Sequence, residues 1–382
     1  MQFWQCLHQK REFKYLSIEK KMTVDNDISA RTSFADAVDR LMSFDVNGRK
    51  FIHHAYDFAR KRAGKSLIQD AGERFLTALG TDPAPTVFIV TGATAQRVGL
   101  PDWIGEMDGP PGAIALARTI ALTHRAVPLL LTDPGQSGML SKAAESLGLY
   151  TLPVGDVRRQ AAAMPHTSSI AIMEIPEEAT QARAFSEELI NDLEPRAVIT
   201  IEKCGVNEKG IFHNTNRRTN NAPGKAYAEA LVKACMSKGI LSIGIGDGGN
   251  EIGFGVIKSD LLAAFPSMAT CNCPCKGSFL AEQSVDCLIT SAVSNWGAYA
   301  LAAYIALATG KPYAGHSPGR EARLIDGTAR AGYMHSDGLA VPSVDGMPAE
   351  VHIAFVRILS TMVFWPPHQF GREGFLTDML PV

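Results

Sequence analysis

From about residue 30 onward the chain alternates short apolar runs with longer stretches whose apolar residues recur at helical spacing. The short runs are Val87–Val90, Val127–Leu131, Tyr150–Val154, Ile170–Ile175, Ala197–Ile201, Leu241–Ile245 and Asp286–Ile289. Between them Ala35–Leu41, Phe51–Ala63, Gly112–His124, Met139–Leu147, Glu177–Leu193 and Ala226–Lys238 read as helices. A further apolar stretch, Trp296–Thr309, is too short to span a membrane and stops at Gly310-Lys311-Pro312, so it reads as a buried core helix. Apolar runs without polar alternation belong in a sheet covered on both faces, and helices between them imply parallel βαβ units. The predicted class is therefore α/β: a mostly parallel sheet with helices on both faces, a Rossmann-like layered architecture. Residues 1–45 read as an N-terminal tail, poorly structured or partly helical, and 46–382 as the α/β domain.

In open parallel sheets, ligands bind beyond the carboxyl ends of the strands. Polar and glycine-rich residues collect there: Thr91-Gly92, Thr132-Asp133, Glu202-Lys203-Cys204-Gly205, Gly246–Glu251 and Ser291–Asn295. The densest is Gly246-Asp247-Gly248-Gly249-Asn250-Glu251. Glycines let backbone approach a ligand closely, and a structural turn alone has no need of Asp, Asn and Glu beside them. Gly244-x-Gly246-x-x-Gly249 formally matches a dinucleotide fingerprint, but it lies late in the chain and no Gly-Lys-Ser/Thr of a P-loop is present. Asp108-Gly-Pro-Pro-Gly112 is helix-start chemistry that could equally face a pocket, and Asn295 is a natural N-cap. Glu202 and Lys203, directly after a buried strand, need partners or a cleft. Arg217 and Arg218, in the polar stretch Asn207–Asn221, suit a carboxylate or phosphate clamp. His316–Arg320 reads as a turn.

Composition narrows the partners. With 382 residues, 46% hydrophobic and a net charge of -2, the chain offers no footprint for nucleic acid or an anionic membrane, and homo-oligomerisation stays open. Seven cysteines, an odd number, argue for a reducing compartment, either the mitochondrial matrix or the cytoplasm. Cys271-Asn-Cys-Pro-Cys275 lacks the C-x₂-C spacing of zinc pairs and reads as a cysteine-rich, redox-sensitive loop. The first 22 residues make a weak match to a mitochondrial presequence, and Met22 is an alternative start.

Asp108–Gly112, Glu202–Gly205, Gly246–Gly253 and Val293-Ser-Asn-Trp-Gly297-Ala-Tyr-Ala-Leu301, in this order, resemble the D-glutamate cyclase family over roughly residues 50–365. The resemblance implies a lyase that converts D-glutamate, an acidic amino acid, to 5-oxo-D-proline with loss of water. On that reading Asp247 is the base that frees the α-amine, and Glu251 is a second base or protonates the departing hydroxyl. Lys203, Arg217 or a divalent ion (Mg or Mn) held by Asp247 and Glu251 neutralises the γ-carboxylate. Arg218 or the amides of Gly246, Gly248 and Gly249 hold the α-carboxylate, while Asn250, Asn295, Asp108 and Glu202 orient the substrate. Two other classes remain in view: a magnesium-dependent phosphate- or nucleotide-handling enzyme, and a non-catalytic ligand-binding subunit.

Overall fold

The computed structural model describes residues 28–94, 104–164, 169–214, 224–335 and 338–364. Seven strands form one sheet: β1 (Thr86–Thr91), β2 (Val127–Thr132), β3 (Tyr150–Thr151), β4 (Ser169–Glu174), β5 (Ala197–Ile201), β6 (Leu241–Gly246) and β7 (Cys287–Thr290). Their spatial order is β3-β4-β2-β1-β5-β6-β7, and every pair is parallel. All residues of β1, β2, β5, β6 and β7 are buried. Successive strand residues point to opposite faces, so both faces are covered, which is the α/β layering expected from the unalternated apolar runs.

Among the described residues twelve α-helices connect and cover the strands: α1 (Ile28–Met42), α2 (Ile52–Ala63), α3 (Leu67–Leu79), α4 (Pro110–His124), α5 (Ser137–Glu145), α6 (Val154–Ala163), α7 (Ala179–Leu193), α8 (Glu229–Ser237), α9 (Lys258–Ala264), α10 (Ser294–Ala308), α11 (Pro318–Ala331) and α12 (Ala349–Phe364). Helix α1 packs Phe34, Ala35, Val38 and Met42 into the core. Its buried Asp39 accepts the free amides of Leu67 and Ile68 at 2.8 and 3.2 Å, so α1 caps α3 across sequence. Helix α10, expected as a core helix, is buried from Ser294 to Leu307. Gly112 lets it approach α4, since a Cβ there would sit 2.9 Å from the Ala298 methyl. No described helix is long and apolar enough to cross a membrane.

Three local expectations change. The run Tyr150–Val154 yields only the two-residue, exposed edge strand β3 before α6 begins at Val154. His316–Arg320 is the start of a helix, with Ser317 as N-cap and Pro318 in the first turn. A two-stranded antiparallel ribbon, β8 (Ser343–Val344) with β9 (Met347–Pro348), was not expected at all. Its turn is Asp345-Gly346, both at positive φ (52° and 79°), the Asp-Gly chemistry of a tight hairpin.

The strand order places the site. From β1 the chain steps to β2, skips to the edge strand β3, comes back to β4 between them, and then crosses to the other side of β1 with β5, β6 and β7. The β1/β5 boundary is a switch point, where the connections leave in opposite directions and open a crevice at the carboxyl edge.

Candidate active site

The glycine loop after β6 is a doubling-back of the chain. A Cβ on Gly244 would lie 2.6 Å from the Ile252 carbonyl oxygen, and one on Gly246 would lie 2.8 Å from the Phe254 ring. Gly249 takes φ +99°, in the region that favours glycine. The returning segment pairs with the segment after β5: the Ile252 amide donates to the Lys203 carbonyl (2.8 Å) and the Gly205 amide to the Asn250 carbonyl (2.8 Å). Glu251 closes the turn from within, its two oxygens accepting from the amides of Gly248 (2.9 Å) and Gly249 (2.7 Å). Those amides are the donors an anion cradle would need, so the loop presents its acids rather than a phosphate nest.

Asp247 of this loop converges with two acids from other segments. A carboxylate oxygen from each of Asp108, Glu202 and Asp247 lies within 4.8 Å of the other two. Asp108, before α4, accepts the amides of Ser294 and Asn295, each at 2.8 Å. Asn295 returns the favour: its side-chain oxygen accepts from the Gly109 (3.0 Å) and Gly112 (2.7 Å) amides. The two helix N-termini α4 and α10 thus cap each other, and Asn295 caps α4 rather than its own helix, whose N-cap position is Val293. Glu202 adopts φ 48° immediately after β5 and bonds the Ser294 hydroxyl. Asp247 is paired with Arg49 at 2.7 Å, and Arg49 also holds Asp345, in the β8–β9 turn, at 3.0 Å. The Arg49 side chain is 39% exposed over an Asp247 that is only 5% exposed, so this guanidinium stands between the acids and solvent.

Burial dominates the protonation of the cluster. It raises Asp108 well above the carboxylate range, aided by the charge of Asp345, although the Asn295 and Ser294 amides oppose the rise. Glu202 is raised well above its ordinary value by burial and then by Asp247, Glu251 and Asp108. Asp247 is pushed by burial up to about 8; Arg49 pulls it down, while Glu251 and Asp108 add to the rise. Burial and the charge of Asp247 lift Asp345 to about 8. Glu251 is raised by burial despite the glycine amides that favour its charged form. Burial works against the charge on Arg49, but Asp247, Asp345 and Glu202 outweigh it and raise its pKa. Like charges this close cannot all be ionised in a dry site. The cluster must hold protons, an ammonium group or a metal ion.

Other expected site residues fall elsewhere. Lys203 is 1% exposed and donates to the Gly92 carbonyl (2.8 Å) and to the buried carboxylate of Asp133. Asp133 also accepts from the Ala226 amide (2.7 Å) and the Thr94 hydroxyl (3.0 Å), so Lys203 ties the ends of β1, β2 and β5 together. Arg217 and Arg218 lie outside the described residues. Asn250 donates to the His213 carbonyl (3.0 Å) and the Cys204 sulfur (3.4 Å), and its buried side-chain oxygen has no hydrogen-bond partner among the described residues. The sequence reading missed Arg49 and Asp345, because neither follows a strand of the main sheet. Asp345-Gly346 carried a readable hairpin signal; Arg49 had none beyond its turn, where Asp45 accepts the Arg49 (3.0 Å) and Lys50 (2.7 Å) amides.

Among the described residues two sets of side chains could hold a metal ion: Asp108, Glu202 and Asp247, and separately His213 with Cys271, Cys273 and Cys275. In the first, the metal would sit with Asp247 and its two neighbours, whereas Glu251, expected as its partner, is committed to the glycine amides.

The comparisons with known proteins converge on one family. The human protein D-glutamate cyclase, mitochondrial, is 25% identical over 248 residues, which cover 64% of this chain and 36% of that protein. The chain thus spans about a third of the length of the curated relative it matches. The family model described as D-glutamate cyclase-like, C-terminal, matches residues 38–360, a span that takes in β1 to β9 and every acid of the cluster. The chain belongs to the D-glutamate cyclase-like C-terminal family.

Proposed function

We propose that the protein cyclises D-glutamate to 5-oxo-D-proline with loss of water. The observation that carries this reading is the meeting of Asp108, Glu202 and Asp247 at the switch point, with Arg49 over them. Three buried carboxylates favour a cationic ammonium group, and Arg49 is a planar, permanently charged partner for a carboxylate. The substrate carries both charges.

Cyclisation joins the α-nitrogen to the γ-carboxyl carbon and breaks one carbon–oxygen bond. Nitrogen loses two protons, and both leave with the oxygen as water, so the enzyme ends as it began. Asp247, raised to about 8 by burial, is far more basic than an ordinary carboxylate, which brings it toward the basicity needed to take a proton from the substrate ammonium. Glu202, held protonated by burial and its neighbours, is the donor to the departing oxygen. Arg49 exchanges its contact with Asp247 for the γ-carboxylate and stabilises the negative charge that develops on its oxygen. Glu251 positions Asp247 by holding the turn. The oxygen donors of Asp108, Glu202 and Asp247 suit a hard divalent ion such as Mg²⁺ or Mn²⁺, which would supply Lewis-acid activation of the carboxyl group.

Incubating purified protein with D- or L-glutamate, with and without magnesium or manganese, and measuring 5-oxoproline tests the proposal. Product from the D-enantiomer, lost in Asp247→Asn and Glu202→Gln, is expected. No product under any of these conditions overturns it.

A further inference from the structure

The C-x-C-x-C spacing of the cysteine-rich loop does not by itself make a zinc site. The fold adds the ligand that spacing could not show. His213, from the segment after β5, brings Nε2 to 3.3 Å from the Cys273 sulfur and 3.5 Å from that of Cys275. The three sulfurs lie 2.9, 3.4 and 3.2 Å apart. All four potential ligand atoms fall within 4.8 Å of one another, with Cys271 2% and Cys273 8% exposed.

The geometry points to a closed Cys₃His zinc site that fastens the segment around His213 to the loop 271–277. Zinc prefers four nitrogen and sulfur ligands in a tetrahedron, and a full set of protein ligands marks a structural rather than a catalytic ion. Bonds of about 2.3 Å to sulfur set the corners of such a tetrahedron about 3.8 Å apart. The sulfurs therefore need to spread by about 0.4 to 0.9 Å to receive the ion.

The surroundings are built for thiolates and a neutral imidazole. His213 Nδ1 lies 3.1 Å from the Ile211 carbonyl, which fixes a proton on Nδ1 and leaves the Nε2 lone pair facing the sulfurs. The Gly277 amide donates to the Cys275 sulfur at 3.4 Å, and the Asn207 side-chain amide lies 3.8 Å from the same atom. The loop is shaped independently of any metal: the Cys271 amide closes onto the Gly277 carbonyl at 2.7 Å, and Lys276 turns at φ 51°. A Cβ on Gly277 would collide with the Asn207 amide at 2.6 Å. Binding releases one proton from each of three thiols and leaves a site of net charge −1. Soft thiolates exclude magnesium and manganese, so this site is chemically distinct from the carboxylate cluster. The two are nonetheless joined: the His213 carbonyl accepts from Asn250, three residues after Asp247.

The test is independent of turnover. Protein purified under reducing conditions is expected to carry one zinc per chain by elemental analysis. Exchange with cobalt should give a thiolate-to-cobalt charge-transfer band and the visible spectrum of a tetrahedral ion. Cys273→Ser should lose at least about tenfold in zinc content, and Asn207→Ala should weaken zinc binding about 10- to 100-fold while leaving all four ligands in place. Should Cys273→Ser fail to fold, the wild-type metal content and cobalt spectrum decide alone. Reduced wild-type protein without stoichiometric zinc and without the cobalt band overturns the proposal, as does iron in place of zinc or a disulfide among Cys271, Cys273 and Cys275.

Discussion

Replacing Asp247 by asparagine should abolish turnover and at the same time stabilise the fold more and more as pH rises. Burial lifts Asp247 from 3.8 to about 8. Between those values the folded chain keeps the proton and the unfolded chain has released it. The folded state therefore binds more protons, and stability falls as pH rises through this window. Each pH unit is worth about 1.4 kcal/mol, so going from about pH 5 to about pH 7 removes up to ~2.7 kcal/mol through this one group. Asparagine does not titrate and escapes that loss. Arg49 keeps Asp345 as a partner in the variant, while Asp108 and Glu202 retain part of the slope because the cluster shares its protons. The expected gain of the variant over wild type between these two pH values is accordingly ~1–3 kcal/mol. Urea denaturation of both proteins at the two pH values measures it, with metal ions removed. An unchanged difference between wild type and variant would refute the reasoning. It would mean that Arg49 holds Asp247 ionised in the folded state and that burial does not prevail.

Lys203→Met breaks the buried pair with Asp133 and should cost about 3–5 kcal/mol of stability, with turnover per folded molecule unchanged; lost turnover at full stability by urea denaturation would put Lys203 back in the chemistry. Asn295→Ala leaves the Gly109 and Gly112 amides without their acceptor and should cost about 2–3 kcal/mol in the same assay. Arg49→Lys keeps the charge but loses the planar fork, so the Michaelis constant for glutamate should rise at least about tenfold with protein stability little altered; unchanged kinetics would remove Arg49 from substrate binding. Magnesium or manganese should raise the melting temperature more near pH 8 than near pH 6, because the ion must displace protons from Asp108, Glu202 and Asp247, and equal shifts in thermal denaturation would argue against carboxylate ligands.

The main sheet was legible because its strands are buried on both faces. Val87–Val90 or Ala197–Ile201 could hardly be anything else once both flanks were helical, and their positions hold within a residue or two. At the β3 edge the expected run Tyr150–Val154 held only in its first two residues. Tyr150 and Thr151 are exposed, pair only with β4, and make a strand of two residues. Helices α3, α6, α9, α11 and α12 escaped the pattern reading, and α11 opens on a His-Ser-Pro-Gly sequence that by itself says turn. The zinc-capable tetrad was invisible for a topological reason: its histidine lies 62 residues from Cys275, and only the fold brings β5 and the loop after β6 into register.

The strand-end rule located the acids but could not separate their duties, and that separation depends on which backbone amides each carboxylate meets. Asp108 and Glu251 both spend their oxygens on N–H groups, of α10 and of the glycine turn respectively. Asp247 is paired instead with the side chain of Arg49, which is 39% exposed. A carboxylate fixed by backbone amides is rigid and holds its neighbours in place; one held by a displaceable guanidinium can change its protonation when a substrate arrives. The motif Gly-Asp-Gly-Gly-Asn-Glu contains one acid of each kind four residues apart, and no rule of spacing distinguishes them. What distinguishes them is that Gly248 and Gly249 turn their amides toward Glu251, which leaves Asp247 the one acid of the motif facing Asp108, Glu202 and Arg49. On the proposed reaction proton transfer therefore falls to Asp247, and the amides that fix its neighbours help hold it among like charges.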